Sequence, residues 1–271
     1  MMYTLRGWFG WLSVLSVLVL WVSAAAEEVR LVYVGATEGT VWLGVTQGLE
    51  EAKLLGSFTG HTYSMQQMTP ETLSQAGTIP PLAAVVAATD AETLLRLAAN
   101  LSAASVAVLN LTADDDTLRQ ACLPNLFHIP PSARMKADAV AQWQKKHPAA
   151  TVQARDWHDD FTKFAARELN NRFRKAHGVP MDDAAWAGWA AIKMLSETVA
   201  RTQTTEPGRI LAYLRHELEF DGQKGVPHTF RDTGQLRQPL LIVAEGKLLG
   251  EAPVRGVADS LDSLGLPACP R

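Results

Sequence analysis

Residues 218–248 read LEFDGQKGVPHTFRDTGQLRQPLLIVAEGKL, and this stretch places many turn residues directly before a long apolar run. Gly222, Gly225 and Gly234 fall in two turns around a short polar segment, and a further turn at Glu245 and Gly246 divides the apolar run. Glycine adopts the backbone conformations that tight turns require at little steric cost. The pattern predicts that the chain doubles back sharply between a preceding helix and the closing strands of a sheet.

Upstream of this stretch, apolar runs alternate with helical patterns. The runs fall at 29–36, 61–68, 82–89 and 105–112, and apolar residues recur at helical spacing between them. Strands that alternate with helices are typical of a parallel sheet covered on both faces. After Ala113 the pattern is mainly helical, with a break at 178–180 and a new helix near Asp182 and Asp183. The predicted fold class is therefore α/β, with a doubly wound parallel sheet.

The first 26 residues have the order of a secretory signal. One positive charge, Arg6, precedes a long apolar run, and Ala24, Ala25 and Ala26 follow it as an A-x-A cleavage site. We expect cleavage near Ala26 and a mature, exported chain spanning 27–271, without a lipid anchor because no cysteine lies nearby. The alternative interpretation is an uncleaved membrane anchor, because the apolar run approaches the ~20 residues that span a bilayer.

Charge and cysteine content narrow the function classes. The net charge of −3 and the lack of a basic stripe disfavour nucleic-acid binding. Cys122 and Cys269 are the two cysteines of the chain, and an oxidising compartment favours one disulfide between them. A metal site is the weaker alternative, since neither cysteine has a second ligand at metal-binding spacing, and a free pair is the third. The sequence contains no G-x-S-x-G motif, no phosphate-binding glycine loop and no paired histidines, so we predict no enzyme activity, catalytic residue, metal or cofactor.

Several separated segments resemble one protein family. The runs AAWAGWAAIKMLSETVA (184–200) and ILAYLRHELEFDGQKGVPHTFRDTGQLRQPLLIV (210–243), the second with an F-x-G-x-x-G turn, resemble the carboxy-terminal part of type I periplasmic binding proteins of the branched-chain amino-acid type. The segments 110–143, 167–191 and 261–270 are similar to the subgroup found with pyrroloquinoline-quinone-dependent alcohol dehydrogenase systems. Family members have two lobes, and much of the second lobe has no counterpart here. The resemblance therefore implies mainly a single lobe, built from 27–145 and 155–250 with a tail at 251–271.

Candidate ligand-binding residues lie in the loops that follow the predicted strands, where open parallel sheets bind their ligands. The family uses two of these loops to hold a ligand carboxylate through hydroxyl groups and helix-start N–H groups. The matching positions, with two residues near the first strand, are Thr37, Trp42, Thr89, Asp90, Asn110 and Thr112. Asp90 would repel a carboxylate, and the alternative roles are helix caps for the loop residues and core packing for Trp42. Acidic runs at 114–116 and 157–160 are more typical of a solvated turn and a helix start than of a cation site.

The resemblance implies a periplasmic substrate-binding component of an ABC transport system linked to pyrroloquinoline-quinone-dependent alcohol oxidation. Such a protein delivers a small molecule, here unidentified, to a membrane permease. The alternative hypothesis is a non-transport accessory protein whose exposed lobe face docks on a quinoprotein dehydrogenase, on the permease or on a second copy of itself. A decayed gene product is a third interpretation, against which the intact core pattern argues.

Overall fold

The computed structural model describes residues 26–75 and 82–270, so the predicted signal segment lies outside the described residues except for Ala26. The described chain contains ten strands and eight helices. The strands are β1 (Glu27–Val34), β2 (His61–Gln67), β3 (Ala84–Ala87), β4 (Ala107–Asn110), β5 (Leu126–His128), β6 (Gln153–Arg155), β7 (Phe220–Asp221), β8 (Pro227–His228), β9 (Leu240–Ala244) and β10 (Lys247–Ala252). The helices are α1 (Gly39–Thr59), α2 (Pro70–Gln75), α3 (Ala91–Ser102), α4 (Asp116–Gln120), α5 (Ala133–Lys146), α6 (Ala166–His177), α7 (Asp183–Thr202) and α8 (Pro207–His216).

A five-stranded parallel sheet forms the centre of the molecule, with strand order β2-β1-β3-β4-β5. Its central strands are apolar on both sides because helices cover both faces. Leu31 and Tyr33 of β1 face a core shared with α1, α6, α7 and α8, whereas Val32 and Val34 face α3. The predicted α/β class with a doubly wound parallel sheet is confirmed. We call this sheet and its helices the main unit.

A second, smaller group of elements packs beside the main unit. Strands β6 and β10 flank β9 in a three-stranded antiparallel sheet, and α5 packs against it through a separate apolar cluster that includes Met135, Ala139 and Ile242. We call α5 and this sheet the small unit. The sequence predicts no strand in the connecting segment KKHPAATVQARD (145–156), but the structure places β6 near its end. Three residues of strand are too few to produce a readable alternation of apolar and polar positions.

Three chain segments cross between the two units, at 129–132, 155–157 and 236–239. The tail after β10 makes a fourth connection, because Cys269 forms a disulfide with Cys122 at the end of α4. The predicted pairing of these cysteines is confirmed. The tail is also held by the buried Arg231, whose guanidinium donates to Asp262 Oδ1 and to the backbone oxygens of Leu261 and Leu264. Within the described residues, no helix is both long and apolar enough to cross a membrane.

Candidate functional site

The loops at the carboxyl ends of β1, β3 and β4 hold the residues that the sequence singled out. Asp90 is the N-cap of α3: its carboxylate accepts hydrogen bonds from the Thr93 amide (2.9 Å) and the Thr93 hydroxyl (2.9 Å). These hydrogen bonds from Thr93 hold the pKa of Asp90 below its usual value. The hydroxyl of Thr89 donates to the same carboxylate at 3.3 Å. Asp90 therefore makes the contacts of a helix cap, which is the alternative to a ligand-binding role.

Asn110, at the end of β4, is fully engaged inside the protein. Its Oδ1 accepts from the amides of Thr112 and Ala113, and its Nδ2 donates to the Ala113 carbonyl at 2.7 Å and contacts Nδ1 of the buried His128. This side chain shapes the loop after β4. Thr112 is exposed, and its hydroxyl donates to the Thr89 carbonyl at 3.4 Å, so the loops after β3 and β4 are neighbours as predicted for parallel strands.

Trp42 and Thr37 belong to the loop and helix that follow β1. The Trp42 ring is half-buried and packs on Tyr33, with 4.8 Å between ring centroids, while Thr37 is exposed. The neighbouring Thr40 donates to Asp182, the N-cap of α7. The starts of α1 and α7 therefore lie together at the carboxyl edge of the sheet. A ligand role for the six predicted residues stays a prediction.

A cavity of about 560 Å³ opens beside this edge, between the small unit and the start of α7. Such a volume lies within the usual range for small-molecule sites. None of the six predicted residues lines it. The lining residues come from α5, from the segment that ends in β6 and from α7: Lys136, Ala137, Val140, Ala141, Gln144, Val152, Gln153, Ala154, Arg155 and Asp183.

The charged groups of the cavity connect the small unit to the main unit. Arg155 Nε lies 3.2 Å from Asp183 Oδ2, and Lys136 Nζ lies 2.9 Å from Asp114 Oδ2 in the loop after β4. All four side chains are partly exposed, so each ion pair contributes little to stability. Their effect is to place two cationic groups and one carboxylate on the cavity wall.

A buried polar cluster lies behind Asp183, where the chain segments cross between the units. Lys224 is buried, and its Nζ donates to Gln238 Oε1 at 2.6 Å and lies 3.9 Å from the ring centroid of Trp186. Gln238 in turn donates to the Ile129 carbonyl at 2.8 Å. Asp183 accepts from the Trp157 amide at 2.8 Å. These contacts tie all three crossing segments to the start of α7.

Burial dominates the electrostatics of this cluster. Burial lowers the pKa of Lys224 to about 7, against the opposing influence of Asp156, Asp183 and Glu251. Burial and the neighbouring Asp183 carboxylate raise the pKa of Asp156 well above its usual value. Burial, with Lys224 acting in the same direction, lowers the pKa of His228 to about 3. Each of these groups is thereby shifted toward its neutral form.

The acidic runs at 114–116 and 157–160 have different surroundings in the structure. His158, Asp159 and Asp160 place one ligand atom each within 4.8 Å of one another, but Asp159 already pairs with Arg174 at 2.9 Å. The run 114–116 lies in the loop before α4 and at its first residue, and its Asp114 pairs with Lys136 of α5. The expected turn accounts for the contacts of 114–116. The expected helix start at 157–160 is wrong, because α6 begins only at Ala166 and Asp159 and Asp160 lie in a turn before it.

Sequence reasoning missed Arg155, Lys136, Asp156 and Lys224. A single charged residue in a short strand or between turns carries no periodic signal, and only the tertiary structure brings these groups to one place. One sequence signal could have pointed to Lys224, which lies inside the F-x-G-x-x-G turn. Because the chain turns tightly on both sides of it, backbone surrounds this lysine.

Comparisons with known proteins bear on the fold. No protein-family model matches the chain, and no curated protein does. The structure is similar to an ABC transporter substrate-binding protein from Desulfitobacterium hafniense in complex with Leu, with 12% identity, a TM-score of 0.70 and coverage of 83% of this chain and 100% of that chain. The fold is that of type I periplasmic binding proteins.

Two further structures agree with this fold assignment. A branched-chain amino acid ABC transporter periplasmic ligand-binding protein from Burkholderia xenovorans has 9% identity and a TM-score of 0.72, covering 87% of this chain and 96% of that one. A solute-binding protein from Rhodopseudomonas palustris in complex with 3,4-dihydroxybenzoic acid has 9% identity and a TM-score of 0.66, covering 83% and 97%. At these identities the likeness defines the fold alone.

Proposed function

We propose that the chain is the substrate-binding component of an ABC transport system, located in the periplasm and delivering a small molecule to a permease. The observation that carries the proposal is the joint presence of the binding-protein fold and a cavity of about 560 Å³ beside the carboxyl edge of its parallel sheet. Ligands of open α/β sheets bind at this edge. Cleavage of the segment 1–26 after export is part of the proposal.

A link to pyrroloquinoline-quinone-dependent alcohol oxidation is the finer part of the proposal. It rests on the sequence resemblance of 110–143, 167–191 and 261–270 to the subgroup found with those systems. These segments include the disulfide partners and most of α5.

We further propose that the small unit is a reduced second lobe. It consists of one helix and three strands, whereas the main unit has a complete doubly wound sheet. Two-lobed binders surround their ligand by closure of one lobe on the other. A binding protein with a reduced lobe would hold its ligand in a more open cavity, which favours modest affinity.

The test is a thermal-shift titration of the protein purified from a periplasmic extract. The panel holds short alcohols, their carboxylic acids, branched amino acids, pyrroloquinoline quinone, calcium and a lanthanide. A ligand at one hundred times its dissociation constant stabilises the folded state by about 2.7 kcal/mol. We expect a saturable rise in the melting temperature with one organic solute. A cooperative melt that no compound moves would contradict solute binding.

The alternative function is docking on a quinoprotein dehydrogenase, on the permease or on a second copy. The observation in its favour is a pair of exposed apolar side chains on α1, Leu54 at 63% and Phe58 at 81% exposure, which border a second cavity of about 610 Å³. Contiguous apolar patches mark interaction surfaces, and these two side chains lie one helical turn apart on the same face of α1. Absence of any shift in the thermal titration, together with a mass in solution above that of one chain, would favour this function.

A further inference from the structure

Arg155 presents unused hydrogen-bond donors on the cavity wall. It is the last residue of β6, and its ion pair with Asp183 is made through Nε at 3.2 Å. Its two terminal nitrogens make no hydrogen bond to any residue in 26–75 or 82–270. An arginine whose terminal nitrogens are free offers two parallel donors in the geometry that a carboxylate accepts.

The wall around Arg155 combines small apolar side chains with the polar Gln144 and Gln153. α5 contributes Ala137, Val140 and Ala141 at helical spacing, and the opposite side contributes Val152 and Ala154. Small side chains leave room for a ligand while still removing its apolar surface from water. The cavity can therefore take an aliphatic chain of a few carbons beside the guanidinium.

The charge of the wall selects between ligands of this size. Lys136 and Arg155 are cationic and Asp183 is the one carboxylate among the lining residues. Asp183 is already occupied on both oxygens, by the Trp157 amide and by Arg155. A ligand ammonium would have to displace one of these partners, whereas a ligand carboxylate meets donors that are free. The geometry favours an anionic guest.

We propose that the groove between α5 and β6 binds short aliphatic monocarboxylates, with Arg155 holding the carboxylate and the alanine and valine side chains covering the alkyl chain. The anchor then lies in the small unit, not in the loops of Thr89 and Thr112 that the sequence singled out. This inference rests on the proposed role in solute binding and gives that role a substrate class.

The experiment is isothermal titration of the purified protein with butyrate, 1-butanol and butylamine, which share a four-carbon chain and differ in charge. We expect saturable binding of butyrate only, weakened by added salt because the contact is electrostatic and partly exposed. Arg155→Gln should weaken butyrate binding about tenfold or more, since a hydrogen-bonded charge contact is lost. Arg134→Gln is the matched control, because Arg134 lies on α5 but does not line the cavity. This variant should bind butyrate as tightly as the parent protein does.

A second variant keeps the test valid if Arg155→Gln does not fold. Ala141 is exposed on α5, so Ala141→Leu leaves the core intact and narrows the apolar wall. It should weaken binding of hexanoate more than that of acetate. Equal binding of butanol or butylamine, or unchanged butyrate binding in Arg155→Gln, would overturn the inference. If butyrate fails but another solute of the thermal-shift panel binds, the substrate class is wrong and the proposed function stands; if nothing binds, both are wrong.

Discussion

At the scale of single residues, Lys224 has the most unusual environment at the junction of the two units. It is buried, and its hydrogen-bond acceptors are the neutral Gln238 side chain and the Pro239 carbonyl. The titratable groups that face it are Asp156, Asp183, Glu251 and His228. Burial without a contacting carboxylate disfavours the charged ammonium form of Lys224. The pKa of this lysine is therefore lowered to about 7.

The lowered pKa of Lys224 makes stability depend on pH. The unfolded chain binds more protons than the folded chain between about pH 7 and pH 10, so this lysine makes the free energy of unfolding rise with pH across that window. We expect the parent protein to gain about 1–3 kcal/mol over Lys224→Met between about pH 7 and pH 9.5, measured by urea unfolding. Asp156 acts with the opposite sign, and its pKa rises further in Lys224→Met because the lysine charge, which favours the carboxylate, is removed.

The exposed Lys53 supplies the matched control for this experiment. Lys53→Met should leave the pH dependence of unfolding as it is in the parent, because Lys53 is exposed on α1, where it pairs with Glu50. Parallel stability curves for the parent and Lys224→Met would contradict the assignment of a perturbed lysine.

The candidate site could be predicted only in part at this scale. The sequence placed Thr89, Asp90, Asn110 and Thr112 in neighbouring loops, because the carboxyl ends of parallel strands lie at one edge. Their contacts could not be predicted, since an aspartate before a helix has the same sequence context as a cap and as a ligand residue. Arg155 lies outside any such loop, and its role depends on α5 folding across β6.

At the scale of elements, α1 and α7 pack more closely than ordinary helices can. A Cβ atom added at Gly44 would collide with the Ala185 carbonyl, one at Gly188 with the Val41 carbonyl, and one at Gly48 would lie 2.8 Å from Ile192 Cβ. The glycines therefore let the two backbones touch. This contact also aligns the starts of both helices at the carboxyl edge, where Thr40 donates to the α7 cap.

We expect Gly44→Ala to destabilise the protein by about 3 kcal/mol, the upper end of the usual cost of overpacking, because a backbone carbonyl cannot move aside. This loss outweighs the gain of about 1 kcal/mol in helix propensity. Gly208→Ala, in α8, is the control: its Cβ would meet only the flexible carboxylate of Glu206, so the change should be close to neutral. Urea unfolding of both variants checks the prediction, and equal stabilities would contradict it.

Element boundaries follow local chemistry where the signal is strong. Asp182 was expected near a helix start, and it caps α7 by accepting from the Ala185 amide at 2.8 Å. Gly178 ends α6 with a positive φ, as the predicted break requires. By contrast β6 is supported by pairing with β9 at long sequence distance, and no local pattern announces it.

At the scale of the whole molecule, the tail fastens the small unit to the main unit. It leaves β10, packs Leu264 against the α5 cluster, and ends in the disulfide at Cys122. Gly265 donates to Asp138 on α5 at 2.8 Å along the way. The two units are therefore joined by three crossings of the backbone and, through the tail, by one disulfide.

Removal of this disulfide should strongly destabilise the folded protein. The bonded cysteines are 147 residues apart in sequence, and the chain-entropy model assigns such a loop about 4–5 kcal/mol. We expect Cys122→Ser combined with Cys269→Ser to lower the free energy of unfolding by about that amount, measured by urea titration. Reduction of the parent protein should reproduce the double variant. Equal midpoints with and without reductant would contradict a stabilising role for the bond.

The sequence by itself determined the elements that depend on near neighbours: the buried strands of the parallel sheet, the capped helices, the glycine turns and the class of fold. These follow from periodicity and from φ preferences, which act over a few residues. Only the tertiary structure decided the antiparallel pairing of β6, the groove beside α5, the free donors of Arg155 and the burial of Lys224. Each of these depends on groups far apart in the chain, and the pKa and packing of such groups are set by what surrounds them after folding.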